Sequence, residues 1–185
     1  MAICIFPGTF NPIHQAHIRM AEYALEKFGF EKIIFIPSYI PPHKDINKNL
    51  AAHRYNMVKL AISNNSKFEI SDVEYKNEGK SYSLITVNKI IEKYNVKGRL
   101  NFIIGTDAFK DIKSWFHTEE LSKLVHFIVF PRQGDTINPN DYKEYSYEIT
   151  AMPMINVSST NIRKQHGIGT TEKVEEYIKS NDLYD

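Results

Sequence analysis

Cysteine is nearly absent from this sequence: Cys4 is the one cysteine among 185 residues, so no disulfide can form within the chain. A thiol without a partner suits a reducing compartment. The first apolar stretch, residues 2–6, is broken by Pro7 and Gly8 and has no cationic flank, so it does not look like a secretory signal. No later apolar run approaches the ~20 residues that a membrane-spanning helix needs. We therefore expect a soluble, cytoplasmic protein.

A surplus of charge of one sign is also missing. Lysine and arginine number 23 against 22 aspartates and glutamates. No strong overall field then draws the chain to nucleic acid or to a membrane, and we expect neither as a partner. Any phosphate binding must come from a local site. The composition does not indicate an oligomeric state, and the length fits one domain over residues 1–185.

Short apolar stretches alternate with apolar residues at helical spacing. Strands are predicted at residues 2–6, 33–36, 68–73, 100–104 and 125–130, with a weaker one at 149–155. Helices are predicted around residues 18–28, 57–62, 84–94 and 171–179, with a short helix that Thr118 caps and a polar surface loop at 133–147. This rhythm predicts an α/β fold with a Rossmann-like, doubly wound parallel sheet in a single domain. Such sheets bind ligands outside the carboxyl ends of their strands.

Unusual residues follow the first predicted strand, in the stretch 7–17. Gly8 is expected to let the backbone turn tightly and approach a ligand. His14 and His17 lie at the start of the next helix, where free N–H groups favour an anion. They can donate hydrogen bonds to phosphate oxygens, and stronger ones if protonated. Two histidines could also bind a metal, but no Cys, Asp or Glu lies near them in sequence to complete a site, so no protein metal site is predicted.

A second stretch of this kind is Ser158–Arg163. Ser158 or Ser159 can cap a helix there, and the guanidinium of Arg163 can grip phosphate through two parallel hydrogen bonds. Taken alone, this is also the pattern of an ordinary capped helix with a solvated arginine. Two helix starts suited to phosphate in one small domain favour triphosphate binding.

Together the two stretches resemble the nucleotidylyltransferase superfamily, with its Gly-Thr-Phe turn, His-x-x-His pair and late Ser-Ser-Thr-x-x-Arg segment. The chain as a whole resembles the bacterial nicotinate-nucleotide adenylyltransferases. Further matches are Ile40–Lys44, Ser81–Ser83, Ile104–Asp107 and Trp115.

The sequence departs from this pattern at Pro7, where a glycine is usual, and at Asn11, where many relatives have aspartate. The Pro-Gly-Thr-Phe string also resembles phosphopantetheine adenylyltransferases. That family usually has threonine in place of His14, and it lacks the Pro-Pro-His-Lys element that includes Lys44. A catalytically inactive nucleotide sensor on the same fold is a further alternative, although both histidines, Lys44 and Arg163 are kept.

The resemblance implies adenylyl transfer: the phosphate of nicotinate mononucleotide attacks the α-phosphorus of ATP and expels pyrophosphate, in NAD biosynthesis. ATP and nicotinate mononucleotide would be its partners, and Mg²⁺ would arrive mainly on the ATP phosphates. The catalytic residues implied are His14, His17, Lys44 and Arg163. The ATP-binding residues implied are Gly8, Thr9, Phe10, His14, His17, Gly105, Asp107, Ser159, Thr160 and Arg163. Those implied for the mononucleotide are Thr9, Asn11, Lys44, Tyr82, Ser83 and Trp115, with Trp115 stacked on the pyridine ring.

Overall fold

The computed structural model describes residues 2–43, 46–77, 79–132, 134–152, 157–165, 167 and 169–185. Its strands are β1 (Ile3–Gly8), β2 (Lys32–Pro37), β3 (Phe68–Ile70), β4 (Leu100–Gly105), β5 (Val125–Phe130) and β6 (Ser146–Ile149). Its α-helices are α1 (Gln15–Phe28), α2 (Ala51–Ala61), α3 (Ser83–Tyr94), α4 (Thr106–Lys110), α5 (Thr118–Leu124), α6 (Ser159–Lys164) and α7 (Glu172–Ser180).

The six described strands form one sheet in the order β3-β2-β1-β4-β5-β6, and every neighbouring pair is parallel. The chain moves outward from β1 to β3 and then returns to place β4 on the other side of β1. The predicted doubly wound sheet is therefore confirmed. Its order reverses between β1 and β4, and the carboxyl ends of these two strands are the expected binding edge.

Two cores, one on each face of the sheet, explain why the central strands β1, β2, β4 and β5 are mostly apolar. Side chains alternate between the faces, because successive residues of a strand point in opposite directions. Cys4 and Phe6 of β1 belong to one core with residues of α1, α2 and α7. Ile3 and Ile5 belong to the other with residues of α3, α4 and α5. Burying each large apolar side chain contributes roughly 1.5–3 kcal/mol.

The sixth strand lies earlier than predicted. It spans Ser146–Ile149 rather than 149–155, and residues 153–156 lie outside the described part of the chain. It is paired with β5 only, so polar side chains are tolerated along it: His126 of β5 contacts Ser146 (Nδ1 to Oγ, 2.7 Å) and Glu148 (Nε2 to Oε1, 3.0 Å). The predicted loop at 133–147 is accordingly wrong at its end, where Tyr145 is buried.

Smaller differences concern short elements. The third strand ends at Ile70 instead of residue 73. The five-residue α4 was not predicted, because so short a helix leaves no periodic pattern. Thr118 is the first residue of α5 and not its cap, which is His117 with a φ of 49°. The hydroxyl of Thr118 instead bonds that of Tyr145, at 2.8 Å. In the part of the chain described, no helix is long and apolar enough to cross a membrane.

Candidate active site

Two cavities open where β1 and β4 end, and both are lined by Phe6–Thr9 and Gly105. The first, of about 670 Å³, is called here the α1 cavity; the second, of about 480 Å³, is called the α3 cavity. The α1 cavity is further lined by polar and cationic residues, among them Asn11, His14, His17, Arg132, Ser158, Ser159, Thr160 and Arg163. The α3 cavity is further lined by His43, Glu74, Ser81, Tyr82, Ser83, Asp107, Trp115 and Phe116. Because the two cavities share this wall, ligands bound in them would lie side by side.

The turn between β1 and α1 is shaped by Phe10 more than by Gly8. Phe10 has a φ of 48°, in the left-handed region that side chains rarely adopt, whereas Gly8 does not have a positive φ. Gly8 is needed for a different reason: a Cβ there would lie 2.9 Å from the Phe10 ring. That ring is buried against Phe6 and Phe35, with centroids 5.4 and 5.9 Å away. The part of Phe10 left to meet a ligand is therefore its backbone.

Side chains from the C-terminal part of the chain hold this turn in place. The carbonyl oxygens of residues 11, 12 and 13 accept, in that order, hydrogen bonds from Arg163 Nη1 (2.7 Å), Ser159 Oγ (3.0 Å) and Thr170 Oγ1 (2.5 Å). Arg163 also donates from Nη2 to the Thr160 hydroxyl at 3.3 Å. Among the described residues these are the hydrogen bonds of its guanidinium, which uses two of its five N–H groups in them and has three for a ligand.

The two predicted histidines do meet. Their rings are stacked with centroids 3.7 Å apart, and the backbone N–H of His14 donates to Nδ1 of His17 at 3.1 Å. When His17 is neutral, its ring proton therefore lies on Nε2. Burial, and then the positive charge of Arg132, lower the pKa of His14 to about 4. His14 by itself is consequently neutral near pH 7 and offers one N–H.

Arg132 is a cation of the site that the sequence analysis missed. It follows β5 directly, and its Nη1 lies 3.0 Å from Oδ2 of Asp107. Its backbone N–H donates to the hydroxyl of Thr106 at 3.0 Å, which fixes the end of β5 against the end of β4. A signal was available, because such sheets bind ligands beyond the carboxyl ends of their strands and Arg132 follows the strand predicted at 125–130.

The predicted mononucleotide residues are divided between the cavities. Tyr82, Ser83 and Trp115 line the α3 cavity together with Thr9, whereas Asn11 lines the α1 cavity. Tyr82 lies directly before α3, and its ring stacks on that of Phe116, with centroids 4.5 Å apart. Trp115 is half-buried, which leaves part of its ring available at the cavity wall. Lys44 lies outside the described residues.

A buried arginine connects the turn to the α3 cavity, and the sequence analysis missed it as well. Arg54 of α2 is 0% exposed. Its Nη1 donates to the carbonyl oxygens of Thr9, at 2.8 Å, and of Ser38, while Nη2 donates to that of Tyr39 at 3.1 Å. Burial lowers the pKa of Arg54. Three carbonyl acceptors hold its charge in place of water.

Glu74, beside the α3 cavity, is a buried acid without a full set of partners. It is 3% exposed, and its Oε2 has no hydrogen-bond partner in the described structure. Burial raises the pKa of Glu74 to about 8, against the opposing effects of a hydrogen bond from Ser81 and the charge of Arg54. Ser81 Oγ in turn accepts from the N–H groups of Tyr39 and Ile40, each at 3.2 Å. The loop after β2 is thus held by both Arg54 and Ser81.

The possible metal ligands of the site suit a metal ion that is bound mainly by a substrate better than one that is coordinated by the protein alone. Among the residues that the structure describes, no group of three or more His, Cys, Asp or Glu could hold a metal ion. The carboxylate of Asp107 is already paired with Arg132. Mg²⁺ usually keeps several waters and is bound through one or two carboxylates and the phosphates of the substrate, which this arrangement permits.

Comparisons with known proteins identify the family and the fold. Residues 5–165 match the cytidylyltransferase-like family. Two curated relatives, each called "Probable nicotinate-nucleotide adenylyltransferase", are 38% identical to this chain. The one from Caldicellulosiruptor saccharolyticus matches over 100% of this chain and 99% of its own length. The one from Clostridium tetani matches over 97% of both chains. A solved structure of Plasmodium falciparum nicotinic acid mononucleotide adenylyltransferase complexed with NaAD superposes with a TM-score of 0.78 at 24% identity, covering 100% of this chain and 97% of that one. At this identity the superposition shows the shared fold.

Proposed function

The chain belongs to the nicotinate-nucleotide adenylyltransferases of the cytidylyltransferase-like family, and we propose that it transfers the adenylyl group of ATP to nicotinate mononucleotide. The products are nicotinate adenine dinucleotide and pyrophosphate, in NAD biosynthesis. The observation that carries this proposal is the pair of cavities with a common wall at the ends of β1 and β4. One cavity is rich in His and Arg, as a polyphosphate needs, and the other is aromatic, as a pyridine ring needs. We assign the whole chain, residues 1–185, to one nucleotidylyltransferase domain.

The chemistry needs alignment more than an activated side chain. A phosphate monoester has a second pKa near ~6, so the attacking oxygen is already charged at neutral pH and no general base is required. The protein must hold two anions together and stabilise the charge that moves onto pyrophosphate. Alignment alone can contribute roughly 7–11 kcal/mol. Oriented N–H donors and cations supply the electrostatic part.

ATP occupies the α1 cavity in this proposal. His14 and His17 donate to its phosphates, with His17 nearest the α-phosphorus. Arg163, Ser159 and Thr160 hold the polyphosphate, and the geometry adds Arg132 to this group. The backbone of Gly8, Thr9 and Phe10 contacts ATP, and Gly105 and Asp107 contact its ribose. Lys44 binds the phosphates, which also carry Mg²⁺.

Nicotinate mononucleotide occupies the α3 cavity. Trp115 stacks on the pyridine ring, because aromatic faces are common platforms for flat ligands. The free N–H groups at the start of α3, around Tyr82 and Ser83, receive the ring carboxylate. Thr9 lies on the shared wall and contacts the mononucleotide phosphate beside Lys44.

Cys4 is buried and unpaired, which supports a cytoplasmic location. The near-neutral charge supports the proposal that the partners are small molecules, without nucleic acid or membrane.

An activity screen tests this function. The protein is mixed with ATP, Mg²⁺ and either nicotinate mononucleotide, nicotinamide mononucleotide or phosphopantetheine, and pyrophosphate release is followed. We expect release with nicotinate mononucleotide. Turnover of phosphopantetheine alone would assign the chain to the phosphopantetheine adenylyltransferases instead. ATP binding without release in any mixture would identify a nucleotide sensor.

A further inference from the structure

Tyr184, which follows the last helix, reaches back to the turn of the active site. Its hydroxyl donates to Oδ1 of Asn11, with 2.6 Å between the two oxygens. Tyr184 is partly buried, and this burial raises the pKa of Tyr184 to about 12, so the group keeps its proton near pH 7. The two residues are 173 positions apart in sequence, and nothing in the local pattern connects them.

This contact determines which end of the Asn11 amide faces the tyrosine. The phenol keeps its proton near pH 7, and Asn11 Oδ1 is the acceptor that the described residues give it. If the amide were turned over, its NH₂ would face the phenol and the hydroxyl proton would lose its acceptor, at a cost typical of an unsatisfied buried donor. The amide oxygen therefore faces Tyr184, and the Nδ2 end of the amide remains available to another partner.

The backbone of Asn11 is held as well. Its carbonyl oxygen accepts from Nη1 of Arg163 at 2.7 Å. Nδ2 has no hydrogen-bond partner among the described residues, and Asn11 lines the α1 cavity. A side chain fixed at its oxygen and at its backbone thus has two amide protons left, next to the histidines and arginines of that cavity.

We propose that Tyr184 is a positioning residue, which orients Asn11 so that its Nδ2 donates to a phosphate oxygen of ATP in the α1 cavity. This rests on the proposed function, which places ATP there. An amide is suited to the task because NH₂ donates and carries no charge, whereas a carboxylate at the same place would add a negative charge beside the phosphates. Asn11, for which the sequence suggested a mononucleotide contact, is thereby assigned to ATP.

The test compares two tyrosines of the C-terminal region. Tyr184→Phe removes only the hydroxyl and should weaken the binding of Mg-ATP by about three- to tenfold, the loss expected for one neutral hydrogen bond. Tyr177→Phe is the matched control: its hydroxyl bonds Nδ1 of His53 at 2.7 Å and Nδ2 of Asn56 at 3.1 Å, and it lines neither cavity. We expect Tyr177→Phe to leave ATP affinity unchanged. The dissociation constants are measured by calorimetry without mononucleotide, and urea unfolding shows that both variants are folded.

A double-mutant cycle distinguishes positioning from a general loosening of the fold. If Tyr184 acts through Asn11, Tyr184→Phe has no further effect on ATP affinity once Asn11→Ala is present. The proposal is overturned if Tyr184→Phe alone leaves the affinity as in wild type, if Tyr177→Phe weakens it equally, or if the two losses simply multiply. Pyrophosphate release by the wild type is measured in parallel. Its absence would contradict the proposed adenylyl transfer, while the role of Tyr184 is decided by the binding data.

Discussion

The buried guanidinium of Arg54 donates a hydrogen bond to the carbonyl oxygen of Thr9, with 2.8 Å between Nη1 and O. The same group also holds the carbonyls of Ser38 and Tyr39. One side chain of α2 therefore ties the turn after β1 to the loop after β2. Thr9 and Ser38 both line the α3 cavity, whereas Arg54 does not. Arg54 therefore holds two parts of the cavity wall together from behind.

Replacing Arg54 by methionine should therefore reduce both stability and catalysis. Arg54→Met keeps the length of the side chain but leaves three carbonyl oxygens without their donor. Each unsatisfied buried group costs about 1–3 kcal/mol, and partial hydration lowers the total, so we expect the free energy of unfolding to fall by at least about 2 kcal/mol. Urea denaturation measures this fall. The KM for the mononucleotide should rise, because the α3 cavity is no longer held.

Arg99→Met is the control for that variant. Arg99 also donates to two backbone carbonyls, those of Ser122 and Val125, but it lines neither cavity. We expect this change to cost less stability, because Arg99 is exposed, and to leave the KM unchanged. An equal rise of KM in both variants would mean that the effect of Arg54 is a general loss of stability.

The raised pKa of Glu74 predicts that the protein loses stability as the pH rises. The pKa of Glu74 is raised in the folded state to about 8, above its usual 4.5, so the folded protein keeps a proton that the unfolded chain releases. This contribution to stability is fully present below pH 4.5 and is lost as the pH rises through 8, by up to about 1.4 kcal/mol per pH unit. Glu74→Gln should therefore gain stability relative to wild type between about pH 5 and pH 8.

The measurement is urea unfolding of wild type and variant across that range. Glu144→Gln is a suitable control, because Glu144 is exposed and its contact with Lys113, at 3.8 Å between Oε1 and Nζ, is a loose one. The stability difference between that control and wild type should stay flat with pH. A flat difference for Glu74→Gln as well would mean that Glu74 is ionised in the folded protein.

Local sequence patterns were enough to predict the two histidines of the site and the strands, but they could not predict that Arg54 and Glu74 are buried beside it. His14 and His17 belong to one turn and one helix start, so their spacing already brings them together. Arg54 stands in a helix whose sequence, Ala-Ala-His-Arg-Tyr-Asn, would suit a solvated surface, and its burial depends on loops after β1 and β2 that only the tertiary fold brings near. Charged residues are rarely fully buried, so a sequence reading places them outside.

The contacts of the C-terminal region with the first turn were not predicted, for a related reason. The start of α6 was predicted from Ser158 or Ser159 as its cap, and Ser158 is the cap in the structure; capping is local, so the sequence could show it. That Arg163 and Ser159 bond the backbone of residues 11 and 12 follows from the packing of the end of the chain against its beginning. A periodic pattern describes one element at a time and contains no information about which elements meet.

His17→Ala should lower kcat far more than it raises the KM for the mononucleotide. His17 lines the α1 cavity at the first turn of α1, where charge develops as pyrophosphate leaves. An interaction made mainly in the transition state affects kcat, and ~2–4 kcal/mol is the scale for one such donor. His126→Ala is the control and should leave kcat unchanged, because His126 lies near the start of β5, bonds side chains of β6 and lines neither cavity. A kcat for His17→Ala within a factor of about three of wild type would remove His17 from the chemistry.

Preference for nicotinate over nicotinamide mononucleotide follows from the start of α3. Tyr82 has extended backbone and no side chain caps the helix, which begins at Ser83, so the first N–H groups of α3 are not taken by a cap. Tyr82 and Ser83 both line the α3 cavity. A carboxylate accepts from two N–H groups at once, whereas an amide offers one acceptor and an NH₂ that faces another donor.

A buried donor that faces a donor is left unsatisfied, at a cost of ~1–3 kcal/mol, which corresponds to about ten- to a hundredfold in kcat/KM. The measurement is kcat/KM for both mononucleotides at saturating ATP and Mg²⁺. Trp115→Phe is the control, because both pyridine rings present the same face to it: the variant should lower both values and leave their ratio unchanged. Equal values for the two mononucleotides in the wild type, or a preference for the amide, would show that the start of α3 does not bind the carboxylate, and the source of pyridine specificity would then have to be sought among the other residues of the cavity.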